Sequence, residues 1–217
     1  MLFRSRQWLW AVADGMGGHA EGEHASRLVV ERLGTLPTPG SAEDALQRIQ
    51  QALKAVNTQL LADAEAKGAE IIGTTVVVLT LVGRTAVIAW VGDSRLYRLR
   101  DGQLQQLTID HTEVQEWVAQ GRLSPEEAEH HPHGNVLARA VGAEEPLEVE
   151  HRIDSLQSGD RYLLCSDGLT KELSDQRLLE LLTEDLPISA CVDRLLDEAL
   201  AAGGHDNVTV VIVGCAS

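Results

Sequence analysis

Aromatic side chains are scarce in this chain: they make up 3% of its 217 residues, with a single phenylalanine. A core built from such a sequence has to be mainly aliphatic. Cysteine is rarer still. Cys165, Cys191 and Cys215 lie far apart and show no CxxC spacing, and one of them is left over from any intramolecular pairing. That argues against a disulfide framework and for reduced thiols in a cytoplasmic setting. Long apolar runs are missing too. No stretch is long enough to insert in a bilayer, and charged and polar residues interrupt the segment after Met1 where a signal peptide needs an apolar region. Basic residues are in short supply, 18 against 33 acidic ones, for a formal net charge of -15. Such a surface is unsuited to nucleic acid or an anionic membrane and attracts cations, divalent metals among them.

Apolar content is what the chain does have. Hydrophobic residues make up 44%, which excludes wholesale disorder, and the length leaves room for a sizeable core. No linker, repeat or low-complexity tract divides residues 1–217, which read as a single domain. Segments 76–82 and 85–91 are dense in Val, Ile and Thr and read as strands joined by a tight Gly83-Arg84 turn. Residues 96–99 and 104–107 form a second hairpin across Asp101-Gly102. Further strands are expected at 8–13, 147–153, 161–165 and 208–213. Helices are expected at 21–33, from Ser41 onward with Asp44 in a capping-box position, at 112–119, from Ser124-Pro125, and near 174–182 and 189–201. No strand–helix–strand rhythm repeats. The fold class expected is therefore α+β: an antiparallel β-sandwich flanked by helical layers, since strands such as 76–82 look apolar on both faces.

Four aspartates stand where an apolar strand meets a turn: Asp14, Asp93, Asp167 and Asp206. Asp-Gly is also a favoured turn pair, and Asp101-Gly102 fits that reading because strand residues flank it on both sides. Asp14-Gly15 and Asp167-Gly168 do not, because non-strand stretches follow them, and Asp206 opens a strand. Antiparallel pairing can gather such strand ends at one rim, where the carboxylates repel one another unless cations bind. An all-oxygen, carboxylate-rich site suits Mg²⁺ or Mn²⁺ and not Zn²⁺. Gly15, Gly17 and Gly18 permit close backbone approach, but the adjacent Asp14 and the lack of a Gly-Lys-Ser/Thr pattern argue against a phosphate loop. Asp93 either braces its Gly-Asp-Ser-Arg turn or joins the metal site. His130, His131 and His133 read either as a transition-metal cluster or as solvated loop residues beside Pro132.

The motifs resemble those of bacterial metal-dependent serine/threonine protein phosphatases of type 2C. They are Val12-Ala-Asp-Gly-Met-Gly-Gly-His19, Gly73-Thr-Thr75, Val91-Gly-Asp-Ser-Arg95, Asp110-His-Thr112, Leu137-Ala-Arg-Ala-Val-Gly142, Gly159-Asp-Arg-Tyr-Leu-Leu-Cys-Ser-Asp-Gly-Leu169 and Gly204-His-Asp-Asn-Val-Thr-Val210. They occur in the family's order. The resemblance implies hydrolysis of phosphoserine and phosphothreonine in proteins by a water held between two Mn²⁺ or Mg²⁺ ions, without a covalent enzyme intermediate. It implies that Asp14 bridges both ions, that the Gly15 carbonyl binds one, and that Asp167 and Asp206 complete the other. Asp110 matches a residue that, with Asp167, helps to hold a third ion, and residues 111–133 match the flap beside the cleft. The implied partners are phosphorylated proteins and a serine/threonine kinase that the enzyme counteracts, with a place beside a secretion-system kinase as a further implication.

Two departures shape the expectations. Met16 stands where animal-type members carry a proposed acidic His, so no catalytic side chain is assigned apart from metal-bound water. The family's leading strand, with its phosphate-gripping Arg and acidic motif, has no match ahead of the 8–13 strand. One edge of that strand is thus expected to be open, activity to be impaired, and the natural reading frame to extend upstream of Met1. Arg4 and Arg6 are the fallback phosphate contacts, and substrate-binding residues stay unassigned. The rival readings are a catalytically impaired phosphoprotein-binding module and a hydrolase of small phosphate esters.

Overall fold

Alternation along each strand decides the layering. In the computed structural model, which describes residues 2–5, 8–16, 18–129 and 131–215, eleven strands and seven helices follow one another. Arg6, Gly17 and His130 lie outside the described residues. The chain runs β1 (Leu2–Ser5), β2 (Leu9–Val12), β3 (Gly15–Met16), α1 (His19–Gly34), α2 (Ala42–Lys67) and β4 (Gly73–Thr74). Then come β5 (Val76–Val82), β6 (Thr85–Val91), β7 (Arg95–Arg100), β8 (Gln103–Gln106), α3 (Glu113–Ala119) and α4 (Pro125–Glu129). It closes with β9 (Glu150–Ser155), β10 (Arg161–Cys165), α5 (Asp167–Thr170), α6 (Asp175–Thr183), α7 (Ile188–Ala202) and β11 (Val210–Gly214).

Strands of one sheet lie in the order β1-β2-β5-β6-β9 and those of the other in the order β11-β10-β7-β8, with antiparallel pairing throughout. Side chains of odd and even parity point to opposite faces. Leu9, Ala11, Val76, Val78, Ala89 and Val91 face α1 and α2, where Ile49, Leu53, Val56 and Leu60 meet them. Their neighbours Trp10, Val12, Val77, Leu79, Ile88 and Trp90 face the second sheet, against Leu96, Tyr162, Leu164 and Val211. The far face of that sheet, with Tyr97, Leu163 and Cys165, packs on Leu169, Leu178, Leu181 and Leu195 of the last helices. Each sheet is thus apolar on both sides, and the layers run α-β-β-α. All three cysteines are free thiols. Among the described residues no helix is long and apolar enough to cross a membrane.

Two expectations need correction. The β2 edge is not open: β1 pairs along it from Leu2↔Val12 to Ser5↔Leu9, so β2 has a partner on each side. The segment beside β2 in the chain supplies that ladder, which places Arg4 opposite Trp10. The strand expected at 147–153 starts later, at Glu150, because buried Leu147 joins the helix-side core instead. As an edge strand with one partner, β9 carries charged, exposed residues, which protect its free side.

Candidate active site

The rim of the sandwich is assembled by close backbone contacts. After β2, the Asp14 carbonyl accepts hydrogen bonds from the Thr75 N–H and the Thr74 hydroxyl, both at 2.8 Å. β3 then lies directly on the first turns of α1. A Cβ on Gly15 would sit 1.8 Å from the Gly22 carbonyl oxygen, so only glycine allows this approach. On the second sheet, Ser166 ties two loops together. Its amide donates to the Thr209 carbonyl, and its hydroxyl accepts from the Thr209 N–H at 3.1 Å and donates to the Asn207 carbonyl at 3.2 Å. That staple sets Asp167, at the start of α5, beside Asp206, ahead of β11. Asp93 reaches the same place from the end of β6, where the neighbouring Ser94 hydroxyl bonds Thr75 at 2.7 Å.

The four strand-end aspartates therefore meet. Asp14, Gly15, Asp93, Asn135, Asp167 and Asp206 line one cavity of about 170 Å³. It adjoins a cleft of about 770 Å³, whose wall includes Asp93, Asn135, Asp167, Lys171, Arg95 and Asp110. Burial, and then the charges of Asp167 and Asp206, push the Asp14 carboxyl up to about 6. Burial, and then Asp167 and Asp110, push Asp93 up to about 7. Among the described residues no group of three acidic, imidazole or thiol side chains is already closed around an ion position. A lysine reaches into the charge cluster: the Lys171 ammonium lies 2.5 Å from Asp167 and 3.8 Å from Asp206. Burial works against its charge, but the bond to Asp167 and the neighbouring carboxylates raise its pKa on balance.

A family model described as "Protein phosphatase 2C" matches residues 2–202. The chain belongs to the type 2C protein phosphatase family. The serine/threonine protein phosphatase PstP of Mycobacterium tuberculosis is 43% identical over 206 residues, which are 94% of this chain and 40% of PstP. This chain thus spans well under half the length of that relative. Among solved structures, PppA, described as a key regulatory component of the T6SS in Pseudomonas aeruginosa, superposes with a TM-score of 0.89 at 37% identity, covering 99% of this chain and 89% of PppA. The catalytic domain of PstP in complex with two manganese ions superposes with a TM-score of 0.82 at 40% identity, covering 94% and 86% of the two chains. The phosphatase sandwich expected from the motifs is the observed fold.

Set on this phosphatase frame, the expected site residues divide. Asp14, Gly15, Asp167 and Asp206 share the cavity. Asp110 stands on the cleft wall, and its carboxylate is already engaged. Both of its oxygens accept from Arg95, at 2.8–3.1 Å, and one also accepts from Gln106. Asp93 proves to be a fourth carboxylate at the cavity; its neighbours Ser94 and Arg95 spend their polar groups on Thr75 and Asp110. His131 meets Trp117 edge-on, His133 lies tilted against it, and His133 also bonds Glu113, so the described part of that histidine cluster is loop packing. Residues 111–138 are closed at the base, where the Ala138 N–H donates to the His111 carbonyl and the Glu113 N–H to the Val136 carbonyl.

Sequence reasoning missed Ser166, Lys171, Asn135 and His111. Lys171 was findable as the residue one helical turn after Asp167. His111 is buried, and its Nδ1 accepts the Gly92 N–H at 3.1 Å, which fixes the root of the flap beside Asp93. No local pattern announces that long-range bond.

The Arg95–Asp110 pair carries a prediction. Asp110→Ala strands a largely buried guanidinium, and breaking a buried pair on one side costs about 3–5 kcal/mol. With Arg95 partly exposed, roughly 2–3 kcal/mol is expected here, read as a lowered denaturant midpoint in metal-free protein. An unchanged midpoint with reduced turnover would leave Asp110 with the metal-holding role alone.

Proposed function

We propose that this chain hydrolyses phosphoserine and phosphothreonine in proteins, with divalent cations held by Asp14, the Gly15 carbonyl, Asp167 and Asp206, and that it reverses a serine/threonine kinase in the cytoplasm. The observation that carries this reading is the meeting of carboxylates from separate strand ends at one cavity beside an open cleft. The donor set fits the expected ions: it is all oxygen, anionic and in electrostatic conflict when only protons and one lysine balance it, as the raised pKa of Asp14 attests. Hard donors of this kind suit Mn²⁺ or Mg²⁺. Bound there, such cations supply an acidified water and charge neutralisation for phosphoryl oxygens. The chain's own residues fix the rest. Ser166 and the Gly15–Gly22 contact hold the carboxylates in place, and the cleft beside Asn135 and Lys171 gives a phosphorylated segment access. A third ion on Asp110 and Asp167 would share the Asp110 carboxylate with Arg95.

The binding-module alternative is not favoured, because the expected aspartates are present and converge. Purified protein should hydrolyse a phosphothreonine peptide with Mn²⁺ and stop on chelation. Failure on peptides together with turnover of metabolite esters would move the reading to a small-ester hydrolase. Mn²⁺ at a hundredfold excess over its Kd is expected to raise Tm by about 5–10 °C through mass action. Asp101→Asn should leave that rise intact, since Asp101 sits at positive φ in the β7–β8 turn. An equal loss of the rise in Asp101→Asn and Asp206→Asn would contradict the site.

A further inference from the structure

We infer that Lys171 is a tethered counter-ion that yields its place to the divalent cations and then offers its ammonium to the substrate's phosphate. This rests on the phosphatase reading above. The geometry is specific. Lys171 follows α5 directly, and its amide donates to the Asp167 carbonyl at 2.8 Å, so the side chain springs from the same turn that carries Asp167. Its ammonium reaches Asp167 at 2.5 Å and Asp206 at 3.8 Å, two carboxylates proposed to hold cations. An ammonium and a divalent cation cannot share those oxygens at close range without mutual repulsion. The lysine stem is flexible, and its side chain is 36% exposed, so a route outward exists.

That route leads into the adjoining cleft, which Lys171 also lines. Among the described residues of that cleft the basic side chains are Arg95 and Lys171. Arg95 is spent on Asp110 and on the Tyr97 hydroxyl. Asp93, Asp110 and Asp175 line the cleft as well and repel a phosphate dianion. Lys171 is therefore the side chain free to meet a phosphate once its carboxylates are taken by metal. In the absence of metal the same ammonium limits repulsion within the cluster.

The test compares wild type with Lys171→Gln and Lys171→Arg. Calorimetric titration with Mn²⁺ should show binding about tenfold tighter in Lys171→Gln, because no tethered cation has to leave. KM for a phosphothreonine peptide should rise about tenfold in the same variant, with kcat changed less, and Lys171→Arg should restore KM. Unchanged or weaker Mn²⁺ binding in Lys171→Gln would overturn the exchange and make the lysine a simple brace for Asp167. Tighter Mn²⁺ binding with an unchanged KM would overturn the phosphate contact. Wild type that binds no Mn²⁺ would overturn the metal site itself and this inference with it, an outcome distinct from both.

Discussion

Asp14→Asn is expected to abolish turnover and at the same time to raise the melting temperature of the metal-free protein. Asp14 is an expected ligand whose ionisation the fold opposes. Burial and the charges of Asp167 and Asp206 hold its pKa at about 6, above the ordinary value of 3.8. A carboxyl with a raised folded pKa contributes stability that is fully present below about 3.8 and is lost as pH rises through 6. At pH 8 the ionised group is therefore a burden on the metal-free fold, on the order of 1–3 kcal/mol after allowance for solvent and for Lys171. Asparagine keeps the shape and removes the charge, so Tm in chelator should rise by a few degrees. Activity should fall by about 10²–10³, the loss seen when one element of electrostatic catalysis is removed. Asp167→Asn and Asp206→Asn should lose turnover on the same scale. A variant that merely damages the fold lowers both quantities; opposite signs identify a residue kept for function at the expense of stability. Near-wild-type Mn²⁺-dependent rates in any of the three would contradict their place in the site.

Most of the fold was legible because both β-sheets are apolar on both faces. The runs 76–82 and 85–91 coincide with β5 and β6, and 161–165 coincides with β10. Ser41 caps α2 as its spacing suggested, accepting the Asp44 N–H at 3.1 Å. What failed was short or non-local. β3 and β4 are two residues each and exist only because Gly15 and Gly73 bring loops together, which no periodicity records. β1 was missed because Arg4 and Ser5 dilute its apolar character, and a four-residue edge strand draws its stability from the ladder it joins. In the site, the aspartates announced themselves by standing where strands stop. For Asp110 the motif names its neighbours along the chain but not the side chain that binds its carboxylate. Its partner is Arg95, held on β7 fifteen positions earlier.

Gly168→Ala tests whether backbone proximity, and not the aspartates alone, builds the site. Gly168 lies inside α5, where alanine ordinarily stabilises a helix by about 1 kcal/mol. Here the opposite is expected. A Cβ at Gly168 would stand 2.3 Å from the Asn207 carbonyl oxygen and 3.0 Å from its carbon. Both are backbone atoms of the loop that carries Asp206, so no side chain can swing away to make room. Ser166 pins that loop to the start of α5 through the Asn207 carbonyl and the Thr209 amide. The methyl group must therefore either break this staple or push Asp206 away from Asp167. Overpacking of this kind costs about 1–3 kcal/mol. A displacement of about 1 Å at a reacting constellation can cost a hundredfold in rate. Mn²⁺ affinity and turnover should both fall, with turnover down about a hundredfold and the denaturant midpoint lowered. Gly40→Ala is the control: its added Cβ meets nothing closer than an Asp44 oxygen at 3.9 Å, and stability should stay within about 0.5 kcal/mol of wild type. If Gly168→Ala binds Mn²⁺ and turns over like wild type, the Asp206 loop has freedom that the Ser166 staple denies it, and the placement of Asp206 at the cavity has to be redrawn.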